Sequence, residues 1–215
     1  MPDLSTFQAF IFDLDGTLLD SEKYHARAFA GAMLELTGYR LTEAEERGFS
    51  GNTSRGYSRE LASRHGLSVS PDRVVARKFE LLYRAFRAEL FPGAREFLSH
   101  WHGRTRLAVA SNSPAHFVNA ALAEVDLIET FDAIITRDDV HARKPDPAMF
   151  LLALERLGVA PEKGMVFEDS NPGLGAALAA GCAVVILRNP GIDLPSPLAP
   201  EIPVLTWAEL LAMPE

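Results

Sequence analysis

Residues 9–17 have the sequence AFIFDLDGT. The first four side chains are all apolar, which is typical of a strand buried in the middle of a sheet. The polarity changes abruptly at Asp13 and Asp15, and Gly16 follows, a residue that allows a tight turn. In an open α/β sheet, ligands bind beyond the carboxyl ends of the strands. This stretch therefore predicts an α/β fold with a functional site at the end of its first strand.

Short apolar runs of the same kind recur along the chain, at residues 107–110, 133–135, 165–167 and 183–187. Helical patterns lie between them, at residues 115–124, 147–157 and 173–180. Strands that alternate with helices of about ten residues predict βαβ units and a parallel sheet. We expect a Rossmann-like, doubly wound sheet. A proline-rich surface connection at residues 189–203 would lead to a last strand and a short helix.

The stretch from residue 22 to residue 90 interrupts this alternation, because it contains no strand pattern. Helices are predicted at residues 22–36, 54–65 and 71–90, and the Arg/Glu-rich residues 43–47 are interpreted as an exposed helix face. We therefore predict an all-helical inserted domain at residues 21–90. It would be inserted into a core domain formed by residues 1–20 and 91–215.

The composition excludes several classes of protein. The chain has 215 residues, of which 47% are hydrophobic and 23% charged, as in globular proteins. The net charge of -8 disfavours nucleic acid as a partner. The chain has no apolar run long enough to span a membrane, and its N-terminus lacks the basic start of a signal peptide. The single cysteine, Cys182, excludes an intrachain disulfide and argues against a cysteine-based zinc site. We expect a cytoplasmic protein with no membrane partner, and a monomer by default.

Polar residues follow each of the first four predicted strands and should meet at one edge of the sheet. They are Asp13, Asp15, Ser111, Asn112, Lys144, Glu168 and Asp169. Four carboxylates repel one another unless a cation lies among them, and ligands that are all oxygen select a hard ion, Mg²⁺. A lysine and a hydroxyl suit phosphate oxygens. One aspartate could act as a nucleophile that forms an aspartyl phosphate, and another as a general acid/base.

These four segments also resemble motifs I to IV of the haloacid dehalogenase-like hydrolase superfamily, in order and in spacing. The segments are Asp13 to Thr17, Ser111-Asn112, Lys144-Pro145 and Glu168-Asp169. The helical insert resembles the cap of the branch that contains β-phosphoglucomutase, sugar phosphatases and phosphoglycolate phosphatase. True dehalogenases of the superfamily lack the second acidic residue of motif I. This chain has that residue, Asp15, so dehalogenation is not expected.

The resemblance implies a role for each motif residue. Asp13 would be the nucleophile and a metal ligand, and Asp15 the general acid/base with its backbone carbonyl on the metal. Phosphate would be bound by Ser111, Asn112 and Lys144. Asp169 would ligate Mg²⁺ directly, and Glu168 either directly or through water. In the cap, His25 and Lys78 are candidate substrate ligands, and the match at Arg55 is displaced by about one position.

Three functions are compatible with this pattern. The first is a Mg²⁺-dependent phosphatase for a small phosphorylated metabolite, such as a sugar or polyol phosphate. The second is a β-phosphoglucomutase-type phosphotransferase, which differs in passing the phosphoryl group to a sugar rather than to water. The third is a phospho-acceptor receiver module. The helical insert and the position of the acidic pair argue against a receiver.

Overall fold

A computed structural model describes residues 2–49 and 52–213 of the chain. The described residues form a six-stranded sheet, parallel throughout, whose strands lie in the order β3-β2-β1-β4-β5-β6. The strands are β1 (Ala9–Phe12), β2 (Arg106–Ser111), β3 (Ala133–Thr136), β4 (Gly164–Glu168), β5 (Ala183–Leu187) and β6 (Val204–Leu205). The predicted doubly wound α/β core is confirmed.

Strand β1 lies at the centre of the sheet, hydrogen-bonded to β2 on one side and to β4 on the other. The chain order of the strands reverses at this position, which is where open α/β sheets bind their ligands. Phe12 is paired with Val109 and with Phe167, so the three strands end at nearly the same level. The residues that follow them are therefore neighbours.

The helices are α1 (Glu22–Thr37), α2 (Glu43–Arg47), α3 (Ser54–His65), α4 (Pro71–Ala85), α5 (Ala94–Trp101), α6 (Ala115–Glu124), α7 (Ala148–Leu157), α8 (Asn171–Ala179) and α9 (Trp207–Leu211). Helix α5 was not predicted from the sequence. Among the helices that the structure describes, none is both long and apolar enough to cross a membrane.

Both faces of the sheet are buried, which explains why its strands are apolar without alternation. Phe10 and Phe12 point to an aromatic layer with Phe97, Phe167 and Trp207, in which ring centroids lie 4.8–6.3 Å apart. Ala9 and Ile11 point to the opposite face, where α7 and α8 supply an aliphatic layer that includes Cys182. Burial raises the pKa of the Cys182 thiol to about 11, so the cysteine is a neutral core residue.

The chain divides into two compact units, one formed by Met1–Asp20 with Ala88–Glu215 and the other by Ser21–Arg87. The sequence placed the second boundary between residues 90 and 91, three residues later. The difference arises because helix α4 ends at Ala85 and not at residue 90. Phe86 is extended, Glu89 O accepts a bond from Asp20 N, and Leu90 pairs with Leu19 as an isolated antiparallel bridge. This pairing returns the chain to the sheet-containing unit.

The helical unit has its own apolar core. It consists of Phe29, Ala32, Met33, Leu41, Phe49, Tyr57, Leu61 and Val74. Its main packing joins α1 to α4 and α3 to α4.

The interpretation of residues 43–47 as an exposed helix face is wrong at Glu45, which is only 7% exposed. Its carboxylate accepts bonds from the backbone N–H and hydroxyl of Thr42, from the Tyr39 hydroxyl and from His65 Nε2, the last at 2.6 Å. The bond from the Thr42 backbone is the main cause that lowers the pKa of Glu45 to about 2, although burial opposes the shift. Charge count alone does not reveal a capping box that turns one glutamate inward.

We expect Glu45→Gln to destabilise the helical unit by about 1–2 kcal/mol at neutral pH. In the folded protein, the pKa of Glu45 lies below its ordinary value of 4.5. The stabilisation that the Glu45 carboxylate provides is therefore complete above pH 4.5. It is lost as the pH falls through 4.5 towards 2. The measurement is thermal unfolding of the variant and the natural protein at several pH values. Glu46→Gln, at an exposed neighbour, is the control and should change stability by less than about 0.5 kcal/mol. An effect of Glu45→Gln that is equally large at pH 3 and pH 7 would contradict the assignment.

Candidate active site

Lys144 lies at the centre of the predicted motif residues and is 5% exposed. Its Nζ donates to Asp13 Oδ1 and to Glu168 Oε1, both at 2.6 Å, and to the backbone carbonyl of Ala110 at 2.7 Å. All three donors of the ammonium group are therefore used. Burial disfavours the charge, but the two carboxylates outweigh it and raise the pKa of Lys144 above the ordinary value for lysine. The lysine is held as a cation.

The sheet explains why these groups meet. Asp13 follows β1, and its backbone N–H donates to Phe167 O of the neighbouring strand at 3.0 Å. Glu168 is the last residue of β4. Lys144 comes from the long connection after β3, and its backbone N–H donates to Asn112 Oδ1 at 3.2 Å. Asn112 therefore fixes the lysine loop, in addition to any contact with a ligand.

Asp15 is held by the segment that follows β2. Ser113 Oγ donates to Asp15 Oδ2 at 2.7 Å, and Ser111 Oγ lies at the longer distance of 3.5 Å from the same oxygen. Ser111 Oγ also accepts the backbone N–H of Ser113 at 3.0 Å, which places the second serine. The sequence predicts a phosphate-binding role for Ser111 and none for Ser113. The alternation of Ser111 and Ser113, which matches that of Asp13 and Asp15, is the signal that would have revealed it.

The carboxylate of Glu168 is completely engaged. Besides Lys144 on Oε1, its Oε2 accepts the backbone N–H groups of Asp169 and Ser170 and the Ser170 hydroxyl, at 2.9–3.1 Å. Asp169, in contrast, accepts a bond on Oδ1 from the Thr17 hydroxyl at 2.7 Å. Glu168 thus holds the lysine and the turn after β4, and Asp169 faces the turn after β1.

Two glycines of α8 differ sharply in the space around them. A Cβ on Gly173 would overlap the Glu168 carboxyl group, whereas a Cβ on Gly175 would make an ordinary contact with Pro145 at 3.6 Å. We expect Gly173→Ala to displace Glu168 and to lower turnover at least about tenfold, because the lysine loses its anchor. Gly175→Ala is the matched control and should raise helix stability by up to about 1 kcal/mol without loss of turnover.

Both variants would be compared by steady-state kinetics and thermal unfolding. Equal behaviour of Gly173→Ala and Gly175→Ala would contradict the role given to Glu168.

The oxygen atoms of these carboxylates determine whether the site can hold Mg²⁺. No group of three or more His, Cys, Asp or Glu side chains in residues 2–49 and 52–213 is arranged as a metal centre. Mg²⁺, however, keeps several water ligands and often uses only one or two carboxylates. Burial raises the pKa of Asp13 well above its ordinary value; the charge of Lys144 opposes this rise, and those of Glu168 and Asp15 add to it. One lysine thus faces an excess of carboxylates, and a hard cation fits this donor set. The four-carboxylate metal set stays a prediction.

The candidate substrate ligands of the helical unit form a separate cluster. Lys78 Nζ lies 2.8 Å from His25 Nδ1, and the two side chains are 4% and 6% exposed. A charged lysine can donate this bond only if Nδ1 carries no proton. Arg55 instead forms an exposed ion pair with Asp72. The structure therefore brings His25 and Lys78 together and leaves Arg55 at the surface of α3.

Comparison with known proteins identifies the family. The sequence model of the haloacid dehalogenase-like hydrolase family matches residues 7–181 of this chain. The chain is 31% identical over 187 residues to fructose-1-phosphate phosphatase YqaB of Escherichia coli, a match that covers 85% of this chain and 97% of that protein. It is 37% identical over 178 residues to the phosphorylated carbohydrates phosphatase of Thermotoga maritima, covering 81% and 82%.

A similar solved structure agrees with the family match. The crystal structure of CbbY from Rhodobacter sphaeroides in complex with phosphate has a TM-score of 0.80 at 27% identity, and the match covers 95% of this chain and 96% of that one. The predicted family, its phosphatase branch and the enzyme class of phosphoric monoester hydrolases are confirmed. The chain belongs to the haloacid dehalogenase-like hydrolases.

Proposed function

We propose that this chain is a Mg²⁺-dependent phosphatase that hydrolyses a small sugar or polyol phosphate through a phosphoaspartate at Asp13. The observation that carries the proposal is the arrangement around Asp13. One of its oxygens is bonded to Lys144, itself anchored by Glu168, while Asp15 is oriented by Ser113. The proposed nucleophile and the proposed general acid/base thus both follow β1, and a lysine from the connection after β3 is hydrogen-bonded to the first of them.

In the first step, a carboxylate oxygen of Asp13 attacks the phosphorus of the ester. The bond between phosphorus and the ester oxygen breaks, its electron pair leaves with that oxygen, and Asp15 supplies the proton that makes the alcohol. In the second step, Asp15 takes a proton from water, whose oxygen attacks the phosphorus of phosphoaspartate. Inorganic phosphate leaves, and the carboxylate of Asp13 is restored. Both proton transfers use the oxygens of one side chain.

The remaining motif residues would bind the phosphoryl group. Lys144 would neutralise part of its charge, and the Ser111 hydroxyl and Asn112 would supply hydrogen bonds. Residues that would hold Mg²⁺ are Asp13, Asp169 and the backbone carbonyl of Asp15, and the ion would supply further charge neutralisation. The carboxylate of Glu168 is already engaged, which favours an indirect role for it. Phosphatases of this family generally use Mg²⁺.

The class of substrate is inferred from the relatives, whose names include fructose 1-phosphate and phosphorylated carbohydrates. Residues 21–90 would be the cap that selects the substrate, and residues 1–20 and 91–215 the core that carries the chemistry. A cytoplasmic, monomeric enzyme remains our expectation.

The test of the proposed function is a panel of phosphorylated metabolites, assayed for phosphate release with Mg²⁺ and with EDTA. We expect release from one or more sugar or polyol phosphates, and loss of release with EDTA. Interconversion of hexose-phosphate isomers without phosphate release would instead show a β-phosphoglucomutase-type phosphotransferase. Metal-independent release would contradict the site as proposed.

Variants of the helical unit test the substrate role of its buried pair. We expect His25→Ala and Lys78→Met to lower kcat/KM for the best sugar phosphate about tenfold more than for a small aryl phosphate. The aryl ester offers fewer polar groups to bind, while the motif residues still process its phosphoryl group. Arg59→Ala, at an exposed cation of α3, is the control and should affect neither substrate. Equal losses on both substrates would show that His25 and Lys78 do not select the substrate.

A further inference from the structure

Asn189 lies two residues beyond the end of β5, in a connection expected from the sequence to run over the surface. The residue is instead buried, with 5% of its surface exposed. Its Nδ2 donates to the backbone carbonyls of Gly16 and Thr17 at 2.8 and 3.0 Å. One side-chain amide group therefore uses both of its protons on two successive carbonyls of the turn after β1.

That turn directly follows Asp15 and is fixed at several points. Gly16 has a φ of 86°, a conformation that favours glycine, and its N–H donates to Leu19 O at 2.9 Å. The Thr17 hydroxyl donates to Asp169 Oδ1 at 2.7 Å. Asp169 thus binds the side chain of Thr17, and Asn189 binds the backbone of the turn.

We propose that Asn189 is a positioning residue for the reaction: it holds the turn at Gly16 and Thr17 and thereby sets the separation and orientation of Asp13 and Asp15. The proposal rests on the proposed phosphatase function. The two carbonyls are buried and need donors, and a side chain with two amide protons supplies both. An aspartate of the same shape offers only acceptors, so Asn189→Asp would place carboxylate oxygens against carbonyl oxygens.

The kinetic test compares Asn189→Asp and Asn189→Ala with the natural protein. We expect kcat to fall about 10- to 100-fold, because small displacements of reacting groups have effects of this size. KM for the sugar phosphate should change less than about threefold, since the two hydrogen bonds of the Asn189 side chain among the described residues go to the backbone of the turn. Thr206→Ala removes the N-cap of α9 in the same unit and controls for general destabilisation. It should leave kcat unchanged.

A second readout does not depend on activity. Hydrogen exchange of the segment from Asp13 to Leu19 should accelerate in both Asn189 variants and stay unchanged in Thr206→Ala. In the natural protein, the Nδ2 protons of Asn189 should exchange more slowly than those of exposed Asn119. This comparison tests the two hydrogen bonds on which the proposal rests, even if neither variant folds.

The positioning role would be overturned by any one of three results. These are an unchanged kcat in folded Asn189 variants, unchanged hydrogen exchange of the turn in those variants, or rapid exchange of the Asn189 amide protons in the natural protein. A natural protein that releases no phosphate from any substrate would overturn the proposed function instead. The exchange measurements would then still show whether Asn189 holds the turn.

Discussion

Asp13→Asn is expected to lower turnover at least about a thousandfold, because an amide does not attack phosphorus and is a poor ligand for a hard cation. The fold should be retained, since the amide oxygen can still accept the bond from Lys144 Nζ that Asp13 Oδ1 accepts now. Steady-state phosphate release and thermal unfolding of the same preparation measure the two effects separately.

The control for this substitution is Asp193→Asn, at an exposed aspartate of the sheet-containing unit. It makes the same chemical change and should leave turnover and stability unchanged. If Asp13→Asn kept even a tenth of the activity, a covalent route through Asp13 would be excluded.

Lys144→Met should have the largest effect on stability. Methionine fills much of the same space, but it leaves the carboxylates of Asp13 and Glu168 and the carbonyl of Ala110 without their donor. Removing one partner of a buried ion pair costs about 3–5 kcal/mol, mainly because the remaining charge has no compensation. Turnover should fall at least about a thousandfold as well, because the same cation would neutralise the phosphoryl group.

Denaturant unfolding of the variant measures this cost, and Lys163→Met provides the comparison. Lys163 is an exposed residue of the same unit, and its replacement should change stability by less than about 0.5 kcal/mol. A Lys144→Met protein as stable as the natural one would contradict the central position of this lysine.

The sequence predicted the fold best where apolar residues form either a continuous run or a repeat at helical spacing. The run at residues 9–12 coincides with β1, and the helices predicted at 22–36 and 54–65 coincide within one residue with α1 and α3. The helices carry apolar residues at helical spacing, and the strand is a short apolar run that ends at polar residues and a glycine. The parallel sheet and the central position of β1 were also predicted, because βαβ units produce parallel strands and a strand apolar on both faces lies inside the sheet.

The sequence predicted least well where one side chain or one pairing decides the structure. The end of α4 depends on the return pairing of Glu89 and Leu90 with the chain near residue 20, which no local pattern contains. The burial of Glu45 depends on a capping box and on His65, twenty residues away. Such contacts between distant residues override local propensity.

The same limit applies to the candidate site. The motif residues could be identified from the sequence because each comes after a buried strand. The hydrogen bonds between them could not be predicted in this way. Ser113 was passed over because its hydroxyl acts on Asp15, which precedes it by 98 residues. Asn189 also follows a buried strand, but its proline-rich surroundings indicated a surface connection.

The most direct measurement for the central claim is to locate the phosphoryl group during turnover. The protein would be mixed with its best substrate, quenched in acid within the first turnovers and treated with borohydride, which reduces an acyl phosphate to an alcohol. Mass spectrometry of the peptide that contains residues 9–17 would then identify the modified side chain. We predict homoserine in place of Asp13, and no modification of Asp15. Modification at any other residue, or a burst of alcohol product without modification of Asp13, would contradict the account.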